Sequence, residues 1–277
     1  VNPNSGTAEY CTAVQELLFG SGHEILTSKR SVTAHTPGGT GGLRVSGDFI
    51  SFLAPGATVW LSDPTWPNHP SIFQAAGLKV ATYPYYDAAG KKLDFAPMLD
   101  ALKKIPAGDF VVLHGCCHNP TGMDPTLDEW KAIAQVSAAQ GWVPLFDFAY
   151  QGLADGVRED ARGLAQFLTA GREVYICSSF SKNFGLYNER VGALTLVADS
   201  ESSAQKALSH LKRTIRTNYS NPPAHGSSIV TTILNDPALR AEWDAELKSM
   251  RDRIASMRKT FVDTLKAKGV AQDFSFL

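Results

Sequence analysis

Short runs of apolar residues alternate with amphipathic segments along most of the chain. Six runs are predicted to be strands: Thr58–Leu61, Val80–Tyr83, Phe110–Leu113, Val143–Phe146, Val174–Cys177 and Ala193–Val197. The helices predicted between them include Gly42–Leu53, Leu99–Lys104, Leu127–Ala139 and Ser202–Thr217. This alternation is typical of an α/β fold in which helices cover both faces of a mostly parallel sheet. Strands that are apolar throughout fit burial on both faces of such a sheet.

The last part of the chain has a different pattern. Apolar residues recur at steps of three and four from Leu239 to Leu265, which is the period of one helix face. This pattern predicts one helix from about Pro237 to Lys268, roughly 45 Å long at about 1.5 Å per residue. It is compatible with a long helix packed across a domain and with a coiled coil. We expect a large domain over residues 1–236, and a bridging helix over 237–277 that leads to a small domain mostly absent from this sequence.

Charge and cysteine content narrow the class of protein. The 277 residues include 26 Lys and Arg against 27 Asp and Glu, a formal net charge of −1. A nearly neutral chain does not attract nucleic acid or an anionic membrane, so we expect neither as a partner. Four cysteines, two of them adjacent, do not make a disulfide framework and favour a reducing compartment such as the cytoplasm. Because the sequence begins with Val1, we expect a piece of a longer polypeptide, which leaves room for a targeting peptide.

A glycine-rich segment, Thr36–Arg44, lies before one of the predicted helices. Ligands of parallel sheets bind outside the carboxyl ends of the strands, so the loops there are the candidate sites. Glycines allow the backbone to approach an anion, and a helix N-terminus offers free N–H groups. Gly39 and Thr40 are therefore candidate phosphate-binding residues, although the segment also fits a simple structural turn. The Lys-Ser/Thr pair of a Walker loop is missing.

Two further loops offer an aromatic ring and an amide. Trp66 lies between two prolines after the first predicted strand. It either presents an aromatic face to a ligand or fills an edge of the core. Asn119 precedes Pro120, which fixes the amide in a ligand site or in an Asx-type turn.

The same loop as Asn119 contains a group of potential metal ligands. His114, Cys116, Cys117 and His118 lie within five positions of one another. Adjacent cysteines chelate one ion poorly, and the sequence has no second Cys or His pair at zinc-ligand spacing. We therefore expect no metal.

The loops after the next two strands carry ionisable groups. Asp147 ends an apolar strand, where a carboxylate is costly unless a cation or a hydrogen-bond donor meets it. Tyr150 is close enough along the chain to share its pocket; the alternative is that Asp147 caps the next turn. Lys182 follows Val174–Cys177 among hydroxyl-bearing residues, as expected of a nucleophilic amine, and Arg190 suits a bidentate phosphate contact. The alternative for Lys182 and Arg190 is a pair of solvated loop charges.

Together these loops supply a phosphate site, an aromatic face, a carboxylate, a phenol and an amine at one edge of one sheet. Pyridoxal phosphate has a phosphate, a flat ring with a basic nitrogen, a phenolic oxygen and an aldehyde. The combination therefore predicts pyridoxal 5′-phosphate as the cofactor.

Six segments resemble motifs of the aspartate/aromatic aminotransferase family of fold-type I pyridoxal-phosphate enzymes. They are TPGGTGGLR (36–44), SDPTWPNH (62–69), HGCCHNPTG (114–122), DFAYQG (147–152), SKNFGLYNERVGA (181–193) and NYSNPPAHG (218–226). The resemblance runs in register over essentially all of the chain. Six motifs in the right order make it highly specific.

The resemblance assigns the residues around the cofactor ring. Lys182 would form the internal aldimine and later move the proton between substrate and cofactor. Asp147 would pair with the protonated pyridine nitrogen, and Tyr150 and Asn119 would hydrogen-bond the phenolic oxygen. Trp66 would stack on the ring.

The resemblance also assigns the phosphate site and the substrate site. Gly39, Thr40, Ser179 and Arg190 would bind the phosphate, and His114 would support the network behind the ring. The substrate site would consist of three residues: Trp66, Asn119 and Arg216.

Arg216 is the residue for which the resemblance matters most. In the family the corresponding arginine reaches the neighbouring subunit's site and binds the side-chain carboxylate of the substrate. The resemblance therefore implies a homodimer with shared active sites. From the residue alone, Arg216 is a solvated charge near the C-terminus of a helix.

The reaction implied is reversible ping-pong transfer of the amino group from aspartate to 2-oxoglutarate. An aromatic aminotransferase acting on tyrosine or phenylalanine is the alternative within enzymes. A non-catalytic fragment or pseudoenzyme scaffold is the alternative of another class, although the retention of Lys182 and its partners argues against it. The family's N-terminal tyrosine and its C-terminal arginine for the α-carboxylate have no counterpart here, which fits a piece of a longer chain.

Overall fold

The computed structural model describes residues 2–169 and 171–277. The strands in the described residues are β1 Ser31–Pro37, β2 Thr58–Asp63, β3 Lys79–Pro84, β4 Tyr86–Asp87, β5 Lys92–Leu93, β6 Phe110–His114, β7 Val143–Phe148, β8 Val174–Ser179 and β9 Val191–Val197. The helices are α1 Ala8–Phe19, α2 Glu24–Thr27, α3 Gly38–Leu53, α4 Asn68–Ala75, α5 Phe95–Leu102, α6 Leu127–Gln140, α7 Arg162–Ala165, α8 Glu201–Asn218, α9 His225–Asn235 and α10 Pro237–Ala267.

Seven strands form one mixed sheet in the order β1-β9-β8-β7-β6-β2-β3. Strand β9 is antiparallel to both of its neighbours, and the other pairs of adjacent strands are parallel. The predicted α/β fold with a mostly parallel sheet is therefore confirmed. Because β9 runs the opposite way, it begins where β1 and β8 end, with Val191 beside Pro37 and Gly192 beside Ser179.

A separate hydrophobic core covers each face of the sheet. Helices α1, α5, α6, α9 and α10 pack on one face, and α3, α4 and α8 pack on the other. Successive side chains of β6 alternate between the two cores, with Val111 and Leu113 in one, and Phe110 and Val112 in the other. This two-sided burial explains why the strand sequences are continuously apolar.

All six predicted strands lie within observed strands, but the first strand of the sheet was not predicted. Strand β1 contains Thr33, His35 and Thr36, which are polar yet buried. Its position between β9 and the packed helices buries these side chains, which the apolar-run criterion does not detect. The apolar-run criterion therefore missed the strand at one edge of the sheet.

Two predicted helices begin four residues earlier in the structure. Helix α3 begins at Gly38 rather than Gly42, because tight packing against β9 outweighs the low helix propensity of glycine. Helix α5 covers Phe95–Leu102 rather than Leu99–Lys104. Pro97 lies in its first turn, where proline is tolerated because the N–H has no intrahelical partner.

The long C-terminal helix is present as α10, Pro237–Ala267. Its N-terminus is capped by the Asp236 carboxylate, which accepts hydrogen bonds from the backbone N–H groups of Ala238 and Leu239. Trp243 and Leu247 are buried against the rest of the molecule. The division into domains at residue 236 stays a prediction.

Within the described residues, we find no helix with the length and apolar character required to cross a membrane.

Candidate active site

One cavity of about 210 Å³ collects the loops at the carboxyl ends of the parallel strands. The residues predicted around the cofactor all line it: Gly39, Thr40, Trp66, His114, Asn119, Asp147, Tyr150, Ser179, Lys182 and Arg190. They come from five separate segments of the sequence. The parallel strands, together with the reversed β9, bring these segments to one edge of the sheet.

One end of the cavity is suited to an anion. Helix α3 begins there, and its N-cap residue, Pro37, makes no side-chain hydrogen bond to the first-turn N–H groups. A helix N-terminus with free N–H groups favours negative charge. The Ser179 side chain borders Gly39, and the guanidinium of Arg190 lies against Gly38.

Two glycines make this close packing possible. Gly38 has a φ of 75°, and a Cβ there would collide with the Arg190 guanidinium. A Cβ on Gly192 would collide with the backbone of Gly38 and Gly39. The start of β9 therefore touches the start of α3 directly, and this contact fixes Arg190 beside the helix N-terminus.

The floor of the cavity carries a buried carboxylate. Asp147, in β7, is only 7% exposed, and its Oδ2 lies 2.9 Å from His69 Nε2. The other ring nitrogen of His69 lies 2.7 Å from the Thr65 hydroxyl. Burial alone would raise the pKa of Asp147, but the His69 hydrogen bond and nearby positive charge hold it below its ordinary value. Asp147 is therefore a charged acceptor at neutral pH.

Two more histidines lie behind this pair. The His114 ring stacks on the His69 ring, with ring centroids 5.2 Å apart. The two buried ring nitrogens of His114 have no hydrogen-bond partner among the described residues. The His118 ring stacks on Tyr85 at 3.8 Å and places Nε2 2.9 Å from the Ser62 hydroxyl. Burial lowers the pKa of His114 to about 4 and that of His118 to about 2. Both imidazoles are therefore neutral at physiological pH.

A lysine and a tyrosine face each other at the centre of the cavity. Lys182 Nζ lies 4.5 Å from the centroid of the Tyr150 ring. Burial lowers the pKa of Lys182; Asp147 opposes this shift and Arg190 reinforces it. A lowered pKa leaves more of the amine unprotonated, and the unprotonated amine is the nucleophile. Partial burial raises the pKa of Tyr150, and the Asn119 amide opposes that shift.

Arg216 lies outside this cavity. It occupies the last turn of α8, is exposed, and donates a hydrogen bond to the Ser220 hydroxyl. Within this one chain, the structure does not bring Arg216 to the other predicted site residues.

His69 was not singled out as a site residue. It lies in the SDPTWPNH segment, but its partner Asp147 is 78 positions away, and no spacing rule links them. Its position after a strand and next to Trp66 was the only local signal. Potential ligand atoms of His69, His114 and Asp147 lie within 4.8 Å of one another, a grouping different from the His114–His118 cluster considered for zinc. The His69–Asp147 hydrogen bond joins two of these three residues.

Comparisons with known proteins agree with this geometry. The sequence matches the aminotransferase class I and II family over residues 1–277. It is 55% identical to an aspartate aminotransferase of Salmonella typhi, over 98% of this chain and 69% of that protein. It is 43% identical to an aromatic-amino-acid aminotransferase of Escherichia coli (strain K12), over 99% of this chain and 69% of that protein.

A solved structure shows the same fold. The aromatic-amino-acid aminotransferase of Burkholderia pseudomallei, covalently bound to pyridoxal phosphate, superposes with a TM-score of 0.98. Its sequence is 48% identical, and the match covers 99% of this chain and 69% of that one. The sequence match, the shared fold and the arrangement of the cavity lead to one conclusion: this chain belongs to the aminotransferase class I and II family.

Proposed function

We propose that this protein uses pyridoxal 5′-phosphate to transfer the amino group of aspartate reversibly to 2-oxoglutarate. The observation that carries the proposal is the arrangement of Lys182 between an anion site and a buried carboxylate in one cavity. The identities support aspartate as the substrate. Four relatives named aspartate aminotransferase are 50–55% identical, whereas three relatives named for aromatic amino acids or tyrosine are 43–46% identical and the Burkholderia pseudomallei structure is 48% identical.

The cavity fits pyridoxal phosphate at three points. The N-terminus of α3, with Ser179 and Arg190, suits the phosphate. Asp147 suits the N–H of a protonated pyridine ring, since its own charge is stabilised by His69. Lys182 suits the aldehyde between these two ends.

The side chains around Lys182 have separate tasks in the reaction. Trp66 offers a flat face to a ring in the cavity, and Tyr150 and Asn119 offer a hydroxyl and an amide to a phenolic oxygen. When bound, pyridoxal phosphate supplies an aldehyde that accepts the amino group and a ring that delocalises the electron pair released at the substrate's α-carbon. Lys182, with its lowered pKa, takes the α-proton and returns it in the reverse direction. Asp147 stabilises positive charge at the ring nitrogen throughout.

A direct assay tests this proposal. The purified protein, supplied with pyridoxal phosphate, is expected to form oxaloacetate and glutamate from aspartate and 2-oxoglutarate. Lys182→Ala should abolish the turnover while leaving the fold intact by circular dichroism. An inactive wild-type protein that also shows no visible absorbance band with the cofactor would leave the scaffold alternative as the better account.

An aromatic substrate preference is the second candidate. The observation that favours it is the close superposition on the Burkholderia pseudomallei aromatic-amino-acid aminotransferase, with a TM-score of 0.98. Relative kcat/KM values for aspartate, tyrosine and phenylalanine distinguish the two readings. We expect aspartate to be favoured, because the Arg216 guanidinium can bind the side-chain carboxylate of aspartate through two charge-assisted hydrogen bonds.

We also propose that the protein acts as a homodimer with shared sites. Arg216 is exposed and lies outside the cavity of its own chain. An exposed guanidinium is free to reach a second subunit and bind the side-chain carboxylate of a substrate there. This arrangement would give a dicarboxylic substrate a partner that the described cavity does not itself provide.

The cytoplasm is the location we propose. All four cysteines are free thiols, as expected in a reducing compartment. A relative from Oryza sativa subsp. japonica, 45% identical over 99% of this chain, is named as a cytoplasmic aspartate aminotransferase.

A further inference from the structure

The residue after Lys182 is tied to the residue after Tyr150. Asn183 is only 1% exposed, and its Nδ2 donates a hydrogen bond of 3.0 Å to the backbone oxygen of Gln151. This bond joins the loop that carries Lys182 to the loop that carries Tyr150. The two side chains that face each other in the cavity are therefore linked through their next neighbours.

Helix α10 holds Asn183 from the other side. The Trp243 indole Nε1 donates a hydrogen bond of 2.7 Å to the backbone oxygen of Asn183. The Trp243 ring also stacks on Phe184, with centroids 4.5 Å apart and planes 23° apart. Trp243 is 6% exposed, so water competes little for this bond.

The same face of α10 contacts the loop after Tyr150. Leu247 is fully buried beside Gly152, and Arg251 donates a hydrogen bond of 2.6 Å to the Gly152 backbone oxygen. Trp243, Leu247 and Arg251 are spaced four residues apart, so they form one stripe along the helix. One helix face therefore contacts both loops of the cavity centre.

We propose that Trp243 is a positioning residue which, through Asn183, fixes the direction of Lys182 toward the reacting atoms. The inference rests on the proposed function, in which Lys182 supplies the reacting amine. Transfer of a proton or formation of a bond requires the amine within a few tenths of an ångström of its productive position. A loop held at Asn183 by two hydrogen bonds and at Phe184 by a stacked ring meets that requirement better than a loop held by its ends.

The test compares two tryptophans of matched environment. Trp243→Phe removes the indole N–H and keeps an aromatic ring on Phe184. Trp142→Phe is the control, since Trp142 is also buried and its Nε1 donates to the backbone oxygen of Leu102 at 3.2 Å, away from the cavity. Both variants lose one buried hydrogen bond to a backbone carbonyl.

The first readout needs neither cofactor nor substrate. Lys182 of the cofactor-free protein is reductively methylated with formaldehyde and cyanoborohydride at a series of pH values, and its modification is measured by peptide mapping. In wild type the midpoint should lie below that of an ordinary lysine, because burial lowers the pKa of Lys182. In Trp243→Phe the loosened loop admits water, so the midpoint should rise; in Trp142→Phe it should match wild type.

The second readout is kinetic. Trp243→Phe should lower kcat for aspartate by up to about tenfold, the rate equivalent of one buried hydrogen bond. The KM for aspartate should be the same in Trp243→Phe and Trp142→Phe within experimental error. If Trp243→Phe does not fold, Asn183→Ser is used in its place in both readouts, because it removes the hydrogen bond from the Asn183 side chain to Gln151.

The outcomes separate this inference from the proposed function. Equal methylation midpoints and equal kcat values in the Trp243 and Trp142 variants would overturn the positioning role. A wild-type protein without amino-transfer activity would overturn the proposed function, but the methylation midpoints would still decide whether Trp243 positions Lys182.

Discussion

At the scale of single residues, the environment of each ionisable group decides what that group can do. Asp147 and Lys182 carry ionisable groups of opposite sign that line one cavity, and the pKa of each departs from its ordinary value. The pKa of each is lowered, which makes Asp147 a firmer anion and Lys182 a better nucleophile. The His69 hydrogen bond causes much of the first shift, and burial causes the second.

Removal of the Asp147 carboxylate should therefore cost most of the activity. Breaking a buried charge pair costs on the order of 3–5 kcal/mol, equivalent to about a thousandfold in rate. We expect Asp147→Ala to keep its fold and to retain cofactor through Lys182 and Arg190, with kcat lowered to that extent. The measurement is steady-state turnover with aspartate, and activity within about tenfold of wild type would contradict the proposed role.

His35 makes a separate contribution to the pH dependence of stability. It is fully buried, both ring nitrogens lack a partner among the described residues, and burial lowers its pKa to about 4. The unfolded chain, with an ordinary histidine pKa of about 6.5, binds the proton first as pH falls. The contribution of His35 to the free energy of unfolding should therefore be complete above pH 6.5. It should be lost as the pH falls toward 4, by up to about 3 kcal/mol.

Urea unfolding of His35→Gln at several pH values checks this expectation. The variant carries no titratable group at position 35, so its stability should fall less between pH 6.5 and 4 than that of wild type. An equal fall in the free energy of unfolding between pH 6.5 and 4 in the two proteins would show that His35 does not cause the pH dependence.

At the scale of elements, the contact between the start of β9 and the start of α3 builds the anion site. Gly192→Ala should push α3 and Arg190 apart, because the added Cβ meets the backbone of Gly38 and Gly39. We expect weaker cofactor binding, by tenfold or more, as a shift of about 1.4 kcal/mol would give. Gly22→Ala is the control, since Gly22 has a φ of 78° and open space around it.

The measurement is the cofactor dissociation constant of each variant by absorbance titration. Gly22→Ala should lose some stability through backbone strain but bind the cofactor as wild type does. Equal binding by the Gly192 and Gly22 variants would show that the β9–α3 contact does not shape the anion site.

Elements with an apolar period were predictable from the sequence, and those defined by tertiary contacts were not. The six apolar strands and α10 follow directly from their patterns. Strand β1 was missed because its buried side chains include Thr33 and His35. In the site, the residue patterns of the predicted loops indicated eight of the cavity residues, and the family resemblance added His114 and Ser179. His69 depends on a partner in a distant strand that only folding brings near.

At the scale of the whole molecule, the proposed homodimer would make each site depend on two chains. Mixing an Arg216→Ala subunit with a Lys182→Ala subunit should restore part of the aspartate activity, because some hybrid sites would contain both intact residues. Arg216→Ala alone should lose far more kcat/KM for aspartate than for phenylalanine, as two charge-assisted hydrogen bonds of roughly 1.5–3 kcal/mol each are removed. Mixtures that dimerise but stay inactive would show that the sites are not shared.

Lys182 should be the residue that carries the cofactor, and a labelling experiment identifies that residue without an activity assay. The protein is incubated with pyridoxal phosphate, reduced with tritiated borohydride and digested, and the labelled peptide is sequenced. Stoichiometric label is expected on Lys182, the lysine that lines the cavity between Arg190 and Asp147. Label on any other lysine, or label that persists in Lys182→Ala, would contradict it.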